Sequence, residues 1–127
     1  MALTLNDNCR NAMADAIDTL VNTGAGAAEM KLETSADAEV ALFTLQNPAF
    51  DAAGTGGVGV ITLLGVTLSD TSAAGGVIEH FSIYNKDAAK VIEGVCATSG
   101  QDMDVTSLTV GVGDTVDLTA FTITMPA

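Results

Sequence analysis

Residues 114–127 read DTVDLTAFTITMPA, a run in which threonine alternates with apolar residues. Alternation with a period of two predicts a β-strand, and the proline near its end stops the ladder of hydrogen bonds. The apolar residues of 116–120 have one parity, and those of 121–125 have the other. A strand that continued without interruption would keep one parity. We therefore predict a bulge or a crossing between two sheets at Ala120–Phe121.

Further stretches upstream also have the composition of strands. Most alternate apolar with polar residues, and turn signals separate them. The stretch 58–68 is apolar on both faces, which predicts a strand covered on both sides. Two hairpins are predicted, one around NKDA at 85–88 and one around the glycine turn GVGD at 111–114. The predicted strands cover residues 29–35, 40–45, 58–68, 77–84, 89–97, 103–110 and 115–125.

One helix precedes these strands. Asn6 is a suitable N-cap and Asp7 favours the first turn. Apolar residues then recur at helical spacing and form one stripe, and the segment ends near Gly24. We predict that this stripe packs on the chain's own domain; docking on a neighbouring subunit is the alternative. The stripe consists of Cys9, Ala12, Met13, Ala16, Ile17 and Leu20, and the polar residues off it are Asn11, Asp15, Asp18 and Asn22.

Together these elements predict a mainly β protein in a single domain of residues 1–127, with the helix at about 6–22 and the β-sandwich at about 28–126. About seven or eight short strands with regular turn signals favour an antiparallel β-sandwich with jelly-roll or Greek-key connections. A chain of this length buries roughly two-thirds of its unfolded surface, which is enough for one core.

The charge balance argues against several classes of partner. Sixteen Asp+Glu stand against four Lys+Arg, which gives a net charge of −12 and a pI near 4.1. Such a surface repels phosphate, so we expect neither nucleic acid nor an anionic membrane as a partner. Solubility is one reading of the charge. The functional interpretation is that the negative charge serves attachment to a basic surface or avoidance of DNA.

The N-terminal stretch MALTLNDNCRN lacks the basic and apolar regions of a secretory signal. No stretch reaches the roughly 18 apolar residues of a membrane span. We therefore expect synthesis in a cytoplasm, where Cys9 and Cys96 are free thiols, with one disulfide as the alternative. Cys9 lies on the helix stripe and Cys96 in a strand, so both are predicted to be small core residues.

Motifs for nucleotide binding and for general-base catalysis are weak. The stretch 54–59 matches G-x-G-x-x-G, but a strand follows it instead of the helix that a dinucleotide site needs, so a loop is predicted. His80, the one histidine, lies on the strand face opposite Phe81 and Ile83. We predict a surface or interface histidine, because nothing places an acid or a nucleophile beside it.

Carboxylates are plentiful, but no set of them has a diagnostic spacing. Asp102 and Asp104 share one strand face without the rest of a calcium loop, so a solvated edge is predicted. One histidine and two separated cysteines do not have zinc-ligand spacing. A glycosidase pair usually lies in an aromatic cleft, and the chain has no Trp and one Tyr. We assign no catalytic, cofactor or metal residue and expect no enzyme. The other carboxylate pairs are Asp114 with Asp117 and Glu29 with Glu33.

The arrangement resembles a family of small structural proteins from tailed bacteriophages. The most specific part is the closing pattern T-S-L-T-V-x-x-G-D-T-V-x-L-T-x-F-T-I-T-M-P at 106–126. The turn NKDA departs from the pattern because it has no glycine. The other matching segments are NCRNAMADAIDTLVNTG, AEMKLETS, LFTLQNPAF, LSDTSAAGG and FSIYNKDAAKVIEG.

The resemblance implies a virion component. We expect a head decoration or cement protein, made in the host cytoplasm, that binds the major capsid protein on the outer surface of the head. Such proteins are commonly trimeric, so a homo-oligomer is expected, with a trimer favoured. A tail- or fibre-associated structural protein is the alternative within the virion. A sugar-binding β-sandwich module is the alternative outside it, although few aromatic side chains count against sugar stacking.

Overall fold

The computed structural model describes residues 3–126, so that residues 1, 2 and 127 of the predicted domain lie outside it. The chain is mainly β with one helix in this part, as predicted. Helix α1 spans Asp7–Val21. The strands are β1 (Glu29–Glu33), β2 (Glu39–Thr44), β3 (Val60–Thr62), β4 (Leu68–Asp70), β5 (Gly76–Val77), β6 (His80–Tyr84), β7 (Lys90–Ala97), β8 (Met103–Asp104), β9 (Thr109–Val110), β10 (Val116–Leu118) and β11 (Thr122–Thr124).

Five strands form the main sheet, in the order β2-β1-β6-β7-β8. Neighbours are antiparallel except β7 and β8, which run parallel, so the sheet is mixed and the prediction of a wholly antiparallel arrangement is wrong. The parallel pair is short and joins Cys96 to Met103 and Ala97 to Asp104. The remaining described strands pair as three two-stranded ribbons, β10–β4, β11–β3 and β5–β9.

The alternating segments form the centre of the main sheet. Across β1 and β6, Met30 pairs with Ile83 and Leu32 with Phe81. All four side chains are buried in the core, because a period of two places them on one face of the sheet. The hairpin predicted around 85–88 is confirmed, since it joins β6 to β7.

Two predicted strand arrangements are wrong. The apolar stretch 58–68 divides into β3 and the start of β4, because the chain turns near Gly65, whose φ of 75° favours glycine. The predicted hairpin around 111–114 does not form, since β9 pairs with β5 while β10 pairs with β4. The predicted turn itself is present, since the Gly111 N–H donates a hydrogen bond to Asp114 Oδ2 at 2.8 Å. A turn signal therefore located the loop but not the strands' partners.

The change of parity at Ala120–Phe121 is a crossing between two ribbons. β10 pairs with β4 before it, and β11 pairs with β3 after it. Phe121, which lies between them, is buried and contacts the edge of Phe81, with ring centroids 5.2 Å apart and planes at 75°. The crossing thus fastens the C-terminal segment to the main sheet.

Gly94 makes room for this aromatic contact. It is the register partner of Phe81 on the adjacent strand β7. A Cβ placed on Gly94 would lie only 2.5 Å from Cε1 of the Phe81 ring. The missing side chain therefore lets the ring occupy the space above β7, from which it reaches Phe121.

The helix has the predicted position but the opposite orientation. Asn6 is the N-cap, and its Oδ1 accepts a hydrogen bond from Cys9 N at 2.8 Å. Of the predicted stripe, Ile17 packs against the core, whereas the other five residues are exposed. The helix instead buries Ala14 and Val21. The prediction that the stripe packs on its own domain is therefore wrong.

The polar side of α1 faces the protein instead. Four side-chain oxygens, spaced four, three and four residues apart, accept hydrogen bonds of 2.7–3.1 Å from backbone N–H groups of segment 49–59. A loop has few backbone partners of its own, so these oxygens satisfy donors that burial would otherwise leave unpaired. The pairs are Asn11 with Gly59, Asp15 with Ala53, Asp18 with Phe50, and Asn22 with Ala49.

Replacing Gly94 with alanine should lower the free energy of unfolding by about 1–3 kcal/mol, because the methyl group displaces the Phe81 ring in a packed core. Urea unfolding followed by circular dichroism measures this difference. Gly56→Ala is the matched control, since the nearest atom to its Cβ is the flexible Thr62 hydroxyl at 3.3 Å. Equal midpoints for the two variants would contradict the role given to Gly94.

Asp18 provides a pH-dependent test of the helix contact. Burial raises the pKa of Asp18 above 3.8, and the charges of Asp15 and Asp51 add to this, although the Phe50 and Asn22 hydrogen bonds oppose it. Because the folded pKa lies above the unfolded one, ionised Asp18 costs stability once the pH rises above 3.8.

Asp18→Asn retains the oxygen that accepts from Phe50 N and removes the charge. We expect this variant to be at least as stable as the parent at neutral pH, and the difference to shrink as the pH falls below 3.8. Asp18→Ala leaves the buried N–H without an acceptor and should cost about 1–3 kcal/mol. Thermal unfolding across a pH series measures both. Equal destabilisation by the two variants would show that the hydrogen bond is not what matters.

Candidate functional site

One face of the main sheet brings together side chains that are rare in this sequence. The chain has one His, one Tyr and four Lys+Arg. His80 and Tyr84 both hydrogen-bond Glu33 on this face, and Lys31 and Lys90 lie 5.1 and 5.9 Å from the Tyr84 ring centroid. Half of the basic side chains therefore lie in one small area of an acidic protein.

Three carboxylates converge on the single imidazole. The His80 Nε2 atom lies 3.0 Å from Asp37 Oδ1, 3.2 Å from Glu33 Oε1 and 3.9 Å from Glu93 Oε1. Glu33 and His80 are register partners on β1 and β6, and Glu93 comes from β7. We call these four residues, Glu33, Asp37, His80 and Glu93, the His80 cluster.

Of the three carboxylates in the cluster, Glu33 is the buried one. It is 2% exposed, and its Oε2 accepts a hydrogen bond of 2.8 Å from the Tyr84 hydroxyl. Burial alone would raise the pKa of Glu33, but the nearby hydroxyl groups, the Lys90 charge and His80 outweigh it and lower the pKa below 4.5. Glu33 is therefore ionised at neutral pH.

Ser82 adds a buried hydroxyl to the same face. It lies between His80 and Tyr84 on β6, is fully buried, and is close enough to Glu33 to contribute to the lowered pKa. The Ser82 hydroxyl nevertheless has no hydrogen-bond partner among the described residues. A buried hydroxyl without a partner is uncommon in a folded protein and calls for an explanation.

Asp37 reaches the cluster from the turn between β1 and β2. The Asp37 N–H donates to Thr34 O, and the Thr34 N–H donates to Ala38 O, both at 2.9 Å. These bonds fold the turn back over the sheet, with Asp37 at a φ of 61°. Its side chain is 63% exposed, so the cluster is open to solvent on this side.

The prediction of a surface or interface histidine is wrong, because His80 is only 6% exposed. The physical reason is the turn that lies over the sheet face, which strand parity does not reveal. Parity did place His80 opposite Phe81 and Ile83. The register that sets Glu33 beside His80 joins residues 47 positions apart, and no sequence signal specified it.

A groove of about 760 Å³ lies elsewhere, on the core side of the main sheet. Two predicted carboxylate pairs meet in its lining, together with threonine hydroxyls. Each carboxylate already accepts a hydrogen bond from a backbone N–H or a serine hydroxyl, which indicates a structural role. His80 and the cysteines lie outside this lining. The four carboxylates and their donors are Asp102 with Val95 N, Asp104 with Gln101 N, Asp114 with Gly111 N, and Asp117 with Ser69 Oγ.

A second candidate surface is the outward side of α1. We call the exposed residues Cys9, Ala12, Met13, Ala16 and Leu20 the helix stripe. Met13 is 39% exposed and Leu20 is 55% exposed. Three charged side chains of the helix are engaged elsewhere: Arg10 donates to Met125 O, and Asp15 and Asp18 accept from backbone N–H groups of segment 49–59. The helix stripe is therefore an uncharged apolar surface on an acidic protein.

The two cysteines differ in environment, and both are free. Cys96 is buried as predicted, and burial, with the nearby Asp102 charge, raises its pKa to about 11. Cys9 is exposed, so the prediction of a core residue is wrong. The error has the same cause as the orientation of α1, since Cys9 lies on the outward side of the helix.

Comparisons with family models, with curated proteins and with solved structures found no match for this chain. Within residues 3–126, the helix is neither long nor apolar enough to cross a membrane.

Thiol labelling tests the assignment of the two cysteines. A disulfide reagent at mildly alkaline pH should modify Cys9 quickly and Cys96 only on unfolding, because Cys96 is buried and holds its proton to a pKa of about 11. Cys9→Ser should remove the fast phase and Cys96→Ser should leave it. Two fast thiols in the parent protein would contradict the burial of Cys96.

Proposed function

We propose that this chain is a bacteriophage virion structural protein that decorates the outer surface of the head and stabilises the shell by binding the major capsid protein. The observation that carries the proposal is the helix stripe. It is a continuous apolar surface on a rigid element, and the protein's own core does not use it. A surface of this kind is typical of a docking site.

Burial of the helix stripe would contribute useful binding energy. Fully burying an exposed side chain of this size stabilises by about 1.5–3 kcal/mol, and Met13 and Leu20 are 39% and 55% exposed. Those two residues would therefore supply about half that amount each on docking. Many copies acting together on one shell make such a moderate contact effective.

Charge favours the capsid over a second copy as the occupant of the helix stripe. Each copy carries a net charge of −12, so two copies repel at low ionic strength. A shell with a neutral or basic outer patch meets no such barrier. The homo-oligomer, with a trimer favoured, remains part of the proposal; its contacts would lie outside the helix stripe and would have to outweigh this repulsion.

The proposed mechanism is mechanical. Each copy contacts more than one capsid subunit, so that opening the shell also breaks the contacts of the decoration protein. Packaged DNA presses on the shell from inside, and the added contacts raise the free energy of rupture. The acidic surface keeps the exposed side of the protein from binding released DNA.

The proposal includes the finer architecture predicted from the sequence, a β-sandwich with jelly-roll or Greek-key connections. The ribbons would form the second layer opposite the main sheet. Phe121 supports this, because it packs against Phe81 of the main sheet and against Phe50, whose ring centroid is 6.3 Å away.

A tail or fibre location would use the same helix stripe and is the alternative within the virion. The sugar-binding alternative has less support from the groove. The aromatic residues in its lining, Phe43 and Phe121, are 1% and 8% exposed and offer no ring face for stacking on sugar.

Binding to heads tests the proposal directly. Purified protein is mixed with heads that lack it, and co-sedimentation gives the bound fraction. We expect the parent to bind and Leu20→Glu to weaken binding at least about tenfold, because the charge enters the apolar contact. Val112→Glu is the matched control, since Val112 is 86% exposed on a loop remote in sequence from α1.

Two outcomes would overturn the assignment. Absence of parent binding to heads, combined with density on the tail in a virion map, would assign the tail alternative. Equal binding of Leu20→Glu and Val112→Glu would remove the helix stripe from the contact. Light scattering of the free protein measures its oligomeric state, and dissociation caused by Leu20→Glu would show that a second copy occupies the helix stripe.

A further inference from the structure

We propose that the His80 cluster binds one divalent transition-metal ion of the zinc class, held by the His80 imidazole and the surrounding carboxylates. This inference is independent of the proposed function. It rests on the geometry and the charge of the cluster and on the unpartnered hydroxyl of Ser82 beside it.

The ligand atoms have the separation that a metal ion requires. Zn²⁺ holds nitrogen and oxygen ligands at about 2.0–2.2 Å, which places tetrahedral ligand atoms about 3.3–3.6 Å apart. In the cluster, Nε2 of His80 lies 3.0, 3.2 and 3.9 Å from its three carboxylate oxygens. The ligand atoms of Glu33, Asp37 and His80 all lie within 4.8 Å of one another. Small side-chain shifts therefore suffice.

A single imidazole proton does not account for this convergence. The Nε2 atom of His80 can donate one hydrogen bond, yet three carboxylates are directed at it. One metal ion can accept electron pairs from His80, Glu33 and Asp37 at once. Imidazole nitrogen with carboxylate oxygens is a ligand set that suits zinc and its neighbours in the transition series.

Charge also favours a divalent ion. The three carboxylates are paired with one ammonium group, Lys90, whose Nζ lies 2.8 Å from Glu93 Oε2. Two carboxylate charges then remain beside the imidazole, and Glu33 carries one of them in a buried position. A divalent ion balances both, and a buried charge is costly unless it is paired in this way.

Side chains around the cluster are placed as outer-sphere partners. Tyr84 binds Oε2 of Glu33, which leaves Oε1 directed at His80. The buried Ser82 hydroxyl has no partner within the described residues and lies beside the same carboxylate. A hydroxyl in that position can donate to a metal-bound carboxylate or to a metal-bound water, which explains its burial.

Metal binding would link elements that are distant in sequence. The ligands come from β1, the turn at 34–38, β6 and β7, so the ion would fasten the exposed turn to the centre of the main sheet. Binding to the folded state alone stabilises that state. We expect Zn²⁺ to raise the Tm of the protein.

Zinc titration of untagged, chelator-treated protein tests the site. Calorimetry should show saturable binding of about one Zn²⁺ per chain in excess Mg²⁺, since the ligand set prefers zinc. His80 is the one histidine, so its imidazole ¹⁵N signals are unambiguous. Zn²⁺ should shift the Nε2 signal strongly, a change that a purely structural hydrogen bond would not produce.

Variants separate the site from general attraction of cations to an acidic protein. His80→Asn should abolish the saturable binding. Asp37→Asn alters an exposed side chain and should weaken binding at least about tenfold. Glu29→Gln, on the same strand as Glu33 but outside the cluster, is the control and should bind as the parent does.

The proposal fails if the parent binds no more Zn²⁺ than His80→Asn does. It also fails if the ¹⁵N signals of His80 do not respond to zinc, or if Asp37→Asn and Glu29→Gln bind equally. Each of these results would identify the cluster as a network of hydrogen bonds and ion pairs without a metal ion.

Discussion

The hydrogen bonds between helix α1 and the backbone of segment 49–59 are the constraint on which the rest of the molecule depends. That segment crosses beside the core, and Ala49 and Phe50 are fully buried. Their N–H groups need acceptors, and the helix supplies them through Asn22 and Asp18. Once the polar side of α1 is committed inward, its apolar side must face solvent. The exposed helix stripe is thus a consequence of backbone hydrogen bonding, and it becomes available to another protein.

The two faces of the main sheet also differ in the side chains that they carry. Its core face buries Met30, Leu32 and Phe81, and Phe81 packs against Phe121 at the crossing. Its outer face is covered in part by the turn at 34–38, which shelters His80 and Glu33 without an apolar layer. Hydrogen bonds from His80 and Tyr84 to Glu33 offset part of the cost of burying these polar groups. The helix stripe and the His80 cluster therefore lie on different elements. The helix stripe is an exposed apolar surface, and the His80 cluster is a set of polar and charged side chains.

Strand composition, helix capping and the parity change at Ala120–Phe121 could be predicted because each depends on neighbouring residues. The orientation of α1 could not, because periodicity identifies two sides of a helix but not which acceptors a distant loop needs. The same limit hid the His80 cluster: Glu33 and His80 meet through strand register, and Asp37 joins them through a turn. The hairpin predicted at 111–114 is wrong for the same reason: the turn forms, but β9 pairs with β5 and β10 pairs with β4.

The protein has sixteen Asp+Glu, and the carboxylates of the His80 cluster differ from the others in what their oxygens contact. Asp102 and Asp114 each accept a backbone N–H, so their oxygens already hold the chain in place. Glu33 uses one oxygen for Tyr84 and directs the other at an imidazole nitrogen, where the Asp37 oxygen also points. A general excess of negative charge attracts cations weakly and without geometry. Oxygens that converge on a nitrogen, with a buried hydroxyl beside them, can select an ion by its coordination, and only the His80 cluster has this arrangement among the carboxylates that the structure describes.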